Sequence, residues 1–339
     1  MKKSKDLILA VDIGGTKVEA GIVASGGEIL STTRVPMVAN KSAAEGFATV
    51  RGAIDSILKG RRRQKIQAMG VSVPGWVDSK TGAVLNAANL PCWKNFPIAQ
   101  EIEKHYRLAV RVANDAKAAA LAEATWGAGR GYRSVFYATL GTGVGTGLVL
   151  DGRIYLGRRG PGGEGGHTTI NFDGPQCPCG KRGCAEMYIS GTAIARNAKE
   201  QIAKAARGSL MLKLAGGDAT KVTAETVVKA AAEGDALATT VLADVAERLA
   251  IWLGNIIDLL EPEVVVIGGG LADVAMSLLP DIRKHLDRWA CSPGHQQTAI
   301  VKAFYGAESA LVGAAALWFC DTEMGTGAAN RPRVTRQSP

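Results

Sequence analysis

Residues 162–186 have the sequence GGEGGHTTINFDGPQCPCGKRGCAE, and this segment carries the strongest signal in the chain. It contains one histidine and three cysteines within 18 residues, spaced as His167-x9-Cys177-x-Cys179-x4-Cys184. Histidine and cysteine at such short spacing are typical ligands of a tetrahedral structural zinc ion. Three unligated thiols are the alternative, which a loop so rich in glycine and polar residues disfavours. The spacing therefore predicts a zinc loop.

Two further glycine-rich turns lie outside this segment, each between two apolar runs. They are Asp12–Lys17, with the sequence DIGGTK, and Gly141–Gly147, with the sequence GTGVGTG. Glycine at a bend lets backbone N–H groups approach phosphate oxygens, so both turns are candidate phosphate-binding hairpins. Thr16 adds a hydroxyl, Lys17 adds a cation, and Asp12 is expected to hold Mg²⁺ through water. Taken alone, the first motif is better explained as a simple glycine turn.

The hydrophobic pattern predicts two groups of strands, each opening with a glycine hairpin and each backed by helices. Two related α/β lobes are therefore expected, with a cleft between them as the ligand site. The predicted strands are 7–13, 18–23, 29–35, 66–73, 110–113, 135–140, 148–150, 264–267 and 299–303. The predicted helices are 42–58, 98–106, 116–126, 192–207, 223–232, 235–260, 278–289 and 308–319.

Two short motifs follow predicted strands. Asn114 and Asp115 lie at a strand–helix junction, where the aspartate either caps the helix or accepts a proton from an attacking hydroxyl. The residues alone favour the cap. Gly268–Gly270 follows the strand over 264–267, and its three glycines allow a flat ligand to lie against backbone.

The composition is that of an ordinary globular protein, with 47% hydrophobic and 21% charged residues. The net charge is +9, of which residues 1–6, 59–65 and 321–339 contribute +2, +5 and +1, so the remainder is nearly neutral. A nucleic-acid-binding protein usually spreads its basic residues over one face. The charge distribution therefore argues against a nucleic-acid partner and predicts that 59–65 is a solvated turn.

Other signals point away from dinucleotide binding, secretion and membranes. Gly160–Gly165 matches GxGxxG but neither follows a strand nor opens a helix, and no GxxxxGK[ST] motif occurs. Asp12 interrupts the apolar run that follows the basic N-terminus, and the longest charge-free stretch, 134–150, contains alternating glycines. We expect a cytoplasmic protein with no membrane segment, and a disordered tail over 321–339.

In their order along the chain, these motifs resemble those of the ROK family of repressors, open reading frames and sugar kinases. The resemblance covers roughly residues 7–320, and its most specific part is GGEGGH at 162–167 followed by CPCGKRGCAE at 177–186. Gly165 departs from the pattern, because the family usually has a branched apolar residue there. The implied fold class is α/β, the actin-like ATPase (ribonuclease H-like) duplication of two lobes with an interlobe cleft.

The resemblance implies a role for each motif residue. Asp115 would be the general base. The hexose would be held by Gly75, Asn89, Asn114, Asp115, Glu164, His167 and Glu186. ATP would be held by Asp12, Gly14, Gly15, Thr16, Lys17, Gly141, Thr142, Gly143, Gly268, Gly269 and Gly270. Structural Zn²⁺ would be held by His167, Cys177, Cys179 and Cys184.

The resemblance also implies the organisation of the chain and its ligands. The small lobe would comprise 1–115 and about 305–320, and the large lobe 116–304, with the zinc loop at 164–186. ATP, Mg²⁺ and a hexose would be bound, and the protein would be a homodimer or a dimer of dimers.

The implied reaction is transfer of the ATP γ-phosphoryl group to a hexose, most simply to the 6-OH of glucose. The family's glucokinases are the most similar members, through NDAKAAALAEATWGAGRG at 114–131 and TLGTGVGTG at 139–147. One alternative is a kinase for N-acetylmannosamine, N-acetylglucosamine, mannose or fructose, since the sequence does not show how the pocket treats the C2 substituent. A second alternative is a sugar-sensing protein without catalysis.

Overall fold

The computed structural model describes residues 6–59, 66–205 and 208–319 and divides the chain into two units. The first unit contains the described parts of Met1–Asp115, Leu156–Gly162 and Ala314–Pro339. The second unit contains the described parts of Ala116–Tyr155 and Gly163–Gly313. Residues 305–313, which the sequence assigned to the small lobe, thus lie in the second unit, and the excursion at 156–162 lies in the first.

The first unit is built on a mixed sheet in the order β3-β2-β1-β4-β8. β1 pairs antiparallel with β2 and parallel with β4, and β4 pairs parallel with β8. A second, three-stranded sheet has the order β5-β6-β7. The strands are β1 (Leu7–Ile13), β2 (Lys17–Ala24), β3 (Ile29–Pro36), β4 (Ile66–Val73), β5 (Trp76–Val77), β6 (Val84–Asn86), β7 (Lys94–Phe96) and β8 (Val110–Asn114).

The second unit repeats the topology of the main sheet, in the order β11-β10-β9-β12-β13. Counted along the chain within the main sheet, the first strand again pairs antiparallel with the second and parallel with the fourth, and the fourth pairs parallel with the fifth. The strands are β9 (Ser134–Leu140), β10 (Val144–Leu150), β11 (Arg153–Ile154), β12 (Val264–Gly268) and β13 (Ala299–Lys302). The matching strand orders are those expected of a duplicated fold.

Helices cover the sheets, and side-chain caps set several of their ends. Ser42 and Glu45 form a capping box at the start of the first helix, and Asp235 caps the longest helix. The helices are α1 (Ala43–Leu58), α2 (Ile98–Tyr106), α3 (Asp115–Thr125), α4 (Glu186–Ile189), α5 (Gly191–Lys204), α6 (Leu210–Leu214), α7 (Ala224–Ala232), α8 (Ala236–Leu260), α9 (Ala272–Ser277), α10 (Leu279–Trp289) and α11 (Ser309–Ala316). Short 3₁₀ helices occupy Gly165–His167, Ala219–Lys221 and Gly306–Glu308.

Each unit has its own hydrophobic core. In the first unit β1, β2 and β4 pack against α1 and α2. In the second unit the sheet packs against α8, whose Val241, Val245, Leu249 and Leu253 form the buried face that the 3.6-residue spacing predicts. No described helix is long and apolar enough to cross a membrane.

The glycines of β10 let helix α3 approach the sheet. A Cβ on Gly145 would come within 2.8 Å of the Ala116 Cβ, and one on Gly147 within 2.5 Å of the Ala120 Cβ. Distances this short exclude a side chain at either position. The sequence assigned all of Gly141–Gly147 to a phosphate-binding hairpin. The structure corrects this, because the turn ends before Val144 and the last two glycines serve helix–sheet packing.

A fully buried carboxylate on α3 binds the segment that leads to α11 through hydrogen bonds. Glu123 accepts hydrogen bonds from the backbone N–H groups of Ala128, Phe304 and Tyr305, each at 2.9 Å, and from the Ser309 hydroxyl at 3.1 Å. Its side chain has no exposed surface. Four donors on one buried carboxylate replace the water that burial removes.

Most of the predicted elements are confirmed within one or two residues of their ends. The short strands β5, β6, β7 and β11 and the helices α4, α6 and α9 were not predicted. Helix 308–319 is shorter than expected, since α11 ends at Ala316. Three expectations fall outside the described residues. They concern 60–65 within the basic turn, 206–207 in the predicted helix 192–207, and the tail 321–339.

Replacing Glu123 with alanine tests this anchor. Three backbone N–H groups would lose their acceptor, and each unsatisfied buried donor costs about 1–3 kcal/mol. We expect Glu123→Ala to lower the free energy of unfolding by about 3–5 kcal/mol, measured by denaturant titration.

The exposed Glu308, one residue before Ser309, provides the matched control. Glu308→Ala removes the same group and should change the free energy of unfolding by less than about 0.5 kcal/mol. Equal effects of the two variants would contradict the role given to Glu123.

Candidate active site and zinc centre

The first glycine hairpin joins β1 to β2 and carries a half-buried carboxylate, that of Asp12, at its entrance. The Ser72 hydroxyl donates to Asp12 Oδ1 at 2.7 Å, because the two residues face each other across the parallel pair β1–β4. Burial raises the pKa of the Asp12 carboxyl. Desolvation penalises the charged form, which a bound cation would stabilise. Asp12 therefore fits the task of holding Mg²⁺ through water.

The polar side chains of this hairpin differ in their surroundings. Thr16 is exposed, whereas the Lys17 ammonium lies 3.4 Å from Glu19 Oε2, which also accepts from Arg34 at 2.7 Å. Lys17, expected as a phosphate cation, is thus an ion-pair partner in this state. At the bend of the hairpin, a Cβ on Gly15 would come within 2.6 Å of the Asn89 carbonyl oxygen. The hairpin therefore packs against the loop that contains Asn89.

Asp115 is the first residue of α3, directly after β8, and its neighbour holds it. The Asn114 side-chain amide donates to Asp115 Oδ1 at 2.9 Å and to the Gly75 carbonyl oxygen at 3.1 Å. Gly75 has a φ of +83° in the turn that follows β4. Three of the predicted hexose residues are therefore brought together in the first unit, with one carboxylate oriented by an amide. This orientation is what a general base requires.

The second glycine hairpin, between β9 and β10, is tied to the last residue of the zinc loop. Glu186 begins α4, and its Oε2 accepts from the backbone N–H of Val144 at 2.8 Å. Thr142 is exposed at the tip of the turn, and its carbonyl oxygen accepts from the Thr192 hydroxyl at 2.8 Å. Glu186, expected as a hexose ligand, thus also supports the predicted phosphate hairpin.

A cavity of about 560 Å³ opens beside this hairpin in the second unit. Gly270 lies in its wall, whereas a Cβ on Gly268 would come within 2.4 Å of the Tyr137 hydroxyl and one on Gly269 within 2.3 Å of the Leu140 carbonyl oxygen. Two of the three glycines therefore serve packing, and the third faces the cavity. The lining residues are Gly141, Thr142, Gly191, Thr192, Ala195, Lys199, Thr220, Lys221, Val222, Thr223, Ala224, Glu225, Gly270 and Leu271.

The predicted zinc ligands converge. One ligand atom from each of His167, Cys177, Cys179 and Cys184 lies within 4.8 Å of the other three. Cys177 Sγ is 3.6 Å from His167 Nδ1, and Cys179 Sγ is 3.6 Å from Cys184 Sγ. Two sulfurs at a Zn–S distance of about 2.3 Å and a tetrahedral angle lie about 3.8 Å apart. The cluster therefore has the dimensions of a tetrahedral zinc site.

Burial and mutual contacts shift the pKa values of the three cysteines. Burial raises the pKa of Cys184 to about 12, and contacts with Cys179 and Cys177 add to the shift. Thiols this close ionise together at neutral pH when a divalent cation stabilises the thiolates. His167 Nδ1 faces the sulfurs, so its Nε2 is the ring atom available for another partner.

Glu164 is held by a lysine that the sequence analysis did not single out. Lys117 Nζ on α3 lies 2.9 Å from Glu164 Oε1, and the lysine side chain is only 2% exposed. A single lysine within the alanine-rich sequence NDAKAAALAEA was the available signal. The cavity residues between 191 and 225 were also missed, since neither their spacing nor their types form a recognisable motif.

These features define a class of protein. The profile of the ROK family matches residues 8–320, and the chain belongs to that family. The expected actin-like ATPase fold is confirmed by the solved structures of the same family that the chain resembles.

Several relatives that match this chain over nearly their whole length are sugar kinases. Glucokinase of Streptomyces coelicolor is 35% identical over 314 residues, which cover 92% of this chain and 97% of that protein. N-acetyl-D-glucosamine kinase of Aliivibrio fischeri is 30% identical over a match that covers 90% of this chain and 97% of that protein. A structure of a ROK family glucokinase from Streptomyces griseus, in complex with glucose and AMPPNP, superposes with a TM-score of 0.77 at 35% identity. The match covers 92% of this chain and 98% of that structure.

The zinc centre gives a direct prediction. We expect elemental analysis of protein purified without chelators to find one zinc ion per chain, because four ligand atoms already converge. Cys179→Ser should lose most of the metal, since serine is a poor zinc ligand.

Cys92→Ser is the matched control, since Cys92 lies in the first unit, apart from the predicted ligand set. It should keep its zinc. A metal-free wild type, or full zinc content in Cys179→Ser, would contradict the assignment.

Proposed function

We propose that this protein is an ATP-dependent hexose kinase that phosphorylates the 6-OH of glucose. The observation that carries the proposal is the carboxylate of Asp115, oriented by Asn114 at the start of α3. A sensor that only binds sugar has no need of an oriented base. The similarity to glucokinases over 92% of the chain supports the substrate class.

The nucleotide is assigned to the glycine hairpins and the cavity beside the second one. The adenosine would occupy the cavity next to Gly270 and Thr192, and the phosphates would meet the turns at Gly14 and Gly141. The volume of about 560 Å³ supports this assignment, since small-molecule sites range from about 300 to 1,000 Å³. Mg²⁺, when bound, neutralises phosphate charge, and Asp12 would hold it through water.

The hexose is assigned, from the family resemblance, to Gly75, Asn89, Asn114, Glu164, His167 and Glu186. In the reaction the 6-hydroxyl oxygen forms a bond to the γ-phosphorus while the bond from that phosphorus to the bridging oxygen breaks. The hydroxyl proton passes to the Asp115 carboxylate, and ADP leaves. Positioning and charge neutralisation supply most of the rate, and a general base typically contributes about 10²–10⁴-fold.

The role proposed for zinc is structural. When bound, zinc orders the loop and fixes His167 by one ring nitrogen, so that Nε2 is presented as a donor to an acceptor hydroxyl. Cytoplasmic location and a homodimer or dimer of dimers remain expectations from the family resemblance.

The second candidate function is an N-acetylhexosamine kinase. The 30% identity to an N-acetyl-D-glucosamine kinase favours it over the remaining alternatives. ADP production measured with glucose, N-acetylglucosamine, N-acetylmannosamine, mannose and fructose separates the candidates. We expect the highest kcat/KM with glucose. A preference for an N-acetylhexosamine would replace the proposed substrate, and no ADP with any hexose would favour a sensor.

The general base is tested by substitution. Asp115→Asn keeps the size of the side chain but cannot accept the proton, so we expect kcat to fall by about 10²–10⁴-fold with hexose binding largely retained. Steady-state kinetics and calorimetric titration with glucose measure the two quantities.

Asp281→Asn, on the exposed face of α10, is the matched control and should behave as wild type. If Asp115→Asn turned over at the wild-type rate, Asp115 would be a helix cap and the mechanism would be wrong.

Zinc removal should weaken hexose binding more than ATP binding. His167 presents its Nε2 only while the loop is ordered, so we expect the hexose Kd to rise by about 10–100-fold in chelator-treated protein. ATP should lose less, because the hairpin at Gly14 belongs to the first unit, although Glu186 supports the hairpin at Val144. Calorimetric titration of zinc-loaded and chelator-treated protein with each ligand measures the two Kd values. Equal losses of hexose and ATP affinity would show that zinc merely stabilises the fold of the unit.

A further inference from the structure

A lysine ammonium is buried at the centre of the second unit, next to the proposed hexose carboxylate. Lys117 is among the largest fully buried side chains of the described residues. Its Nζ lies 2.9 Å from Oε1 of Glu164, a side chain that remains 37% exposed. One end of this ion pair is therefore in the core, and the other faces solvent.

The backbone on either side of Glu164 is held just as firmly. The Thr146 hydroxyl of β10 donates to the Gly163 carbonyl oxygen at 2.6 Å and accepts from the Gly165 N–H at 2.7 Å. The indole N–H of Trp252, on α8, donates to the Gly165 carbonyl oxygen at 2.9 Å. Both side chains are buried, so the loop that carries Glu164 is fixed by the sheet and by the longest helix.

This arrangement explains the glycine at position 165. A Cβ there would come within 3.2 Å of Phe136 Cζ and of Thr146 Oγ1, which is tighter than most real contacts. Phe136 and Trp252 pack edge to face with ring centroids 5.8 Å apart. The aromatic pair therefore occupies space that a branched side chain at 165 would need.

We propose that Lys117 and Trp252 are positioning residues for the hexose site, acting through Glu164. Lys117 occupies Oε1 at 2.9 Å, so Oε2 is directed to accept from a hexose hydroxyl. Trp252 fixes the carbonyl group of Gly165, the residue that follows Glu164. The inference rests on the proposed function, because it assigns Glu164 to the hexose.

Stability alone does not require this lysine. A buried ion pair rarely stabilises a protein more than apolar residues of similar volume do, because desolvation offsets the attraction. Methionine has nearly the length of lysine and would fill the same space. The charge is better explained by what it does to the half-exposed carboxylate than by packing.

The experiment compares Lys117→Met, Glu164→Gln and the double variant by steady-state kinetics and thermal unfolding. A hydrogen bond to a charged group corresponds to about 10–100-fold in affinity. We expect Lys117→Met to raise the KM for glucose by about this factor and to leave the KM for ATP within about twofold. In the Glu164→Gln background, the same change should add less than about twofold, because the group on which Lys117 acts is gone.

Two further variants complete the test. Lys117→Arg keeps the charge and should recover part of the glucose affinity. Trp252→Phe loses the N–H together with part of the ring, and it should raise the KM for glucose by about 2–10-fold. Arg283→Met is the control, since Arg283 donates to backbone carbonyls distant in sequence from Glu164 and should lower Tm with both KM values unchanged. Should Lys117→Met not fold, Lys117→Gln replaces it.

The outcomes separate the two proposals. An active wild type whose Lys117 variants keep the wild-type KM for glucose would overturn the positioning role. So would an equal loss in the presence and absence of Glu164, or parallel rises in both KM values. A wild type that neither binds nor phosphorylates any hexose would instead overturn the proposed function.

Discussion

The close approach of helix α3 to strand β10 is the constraint on which the rest of this protein depends. Gly145 and Gly147 leave no room for side chains, so the alanine face of α3 lies directly on the strand. The helix begins with Asp115, carries Lys117 in its first turn, and ends near the fully buried Glu123. One packed helix thus fixes the proposed base, the lysine that holds Glu164, and the anchor of the segment leading to α11.

The proposed hexose loop is supported twice, by different chemistry. Zinc and three cysteines would order the half that contains His167, whereas Lys117, Thr146 and Trp252 hold the half that contains Glu164 without any metal. Hydrogen bonds from buried side chains to backbone groups are costly to lose, since the freed groups remain out of reach of water. The two halves can therefore be perturbed separately, which makes their contributions to affinity measurable.

Local patterns predicted much of this fold, and long-range contacts account for what they missed. Periodic apolar spacing predicted α8, and the alternation of strands and helices predicted both main sheets. The two-residue strands β5 and β11 carry too few residues to show a period. The zinc ligands were predictable because they are close in sequence. Lys117 and Glu164 are 47 residues apart, and Trp252 is farther still, so nothing local indicates that they meet. The alternating glycines after Gly143 were assigned to phosphate because packing against a helix cannot be read from a strand alone.

A crystal structure of the protein with glucose and a non-hydrolysable ATP analogue is the most direct test of the account. The account predicts that the glucose 6-hydroxyl oxygen lies about 2.6–3.2 Å from the Asp115 carboxylate, still oriented by Asn114. It also predicts that Glu164 contacts a hexose hydroxyl through Oε2 while Oε1 stays on Lys117. A complex in which the 6-hydroxyl lies beyond hydrogen-bond reach of Asp115, directly or through one water, would contradict it.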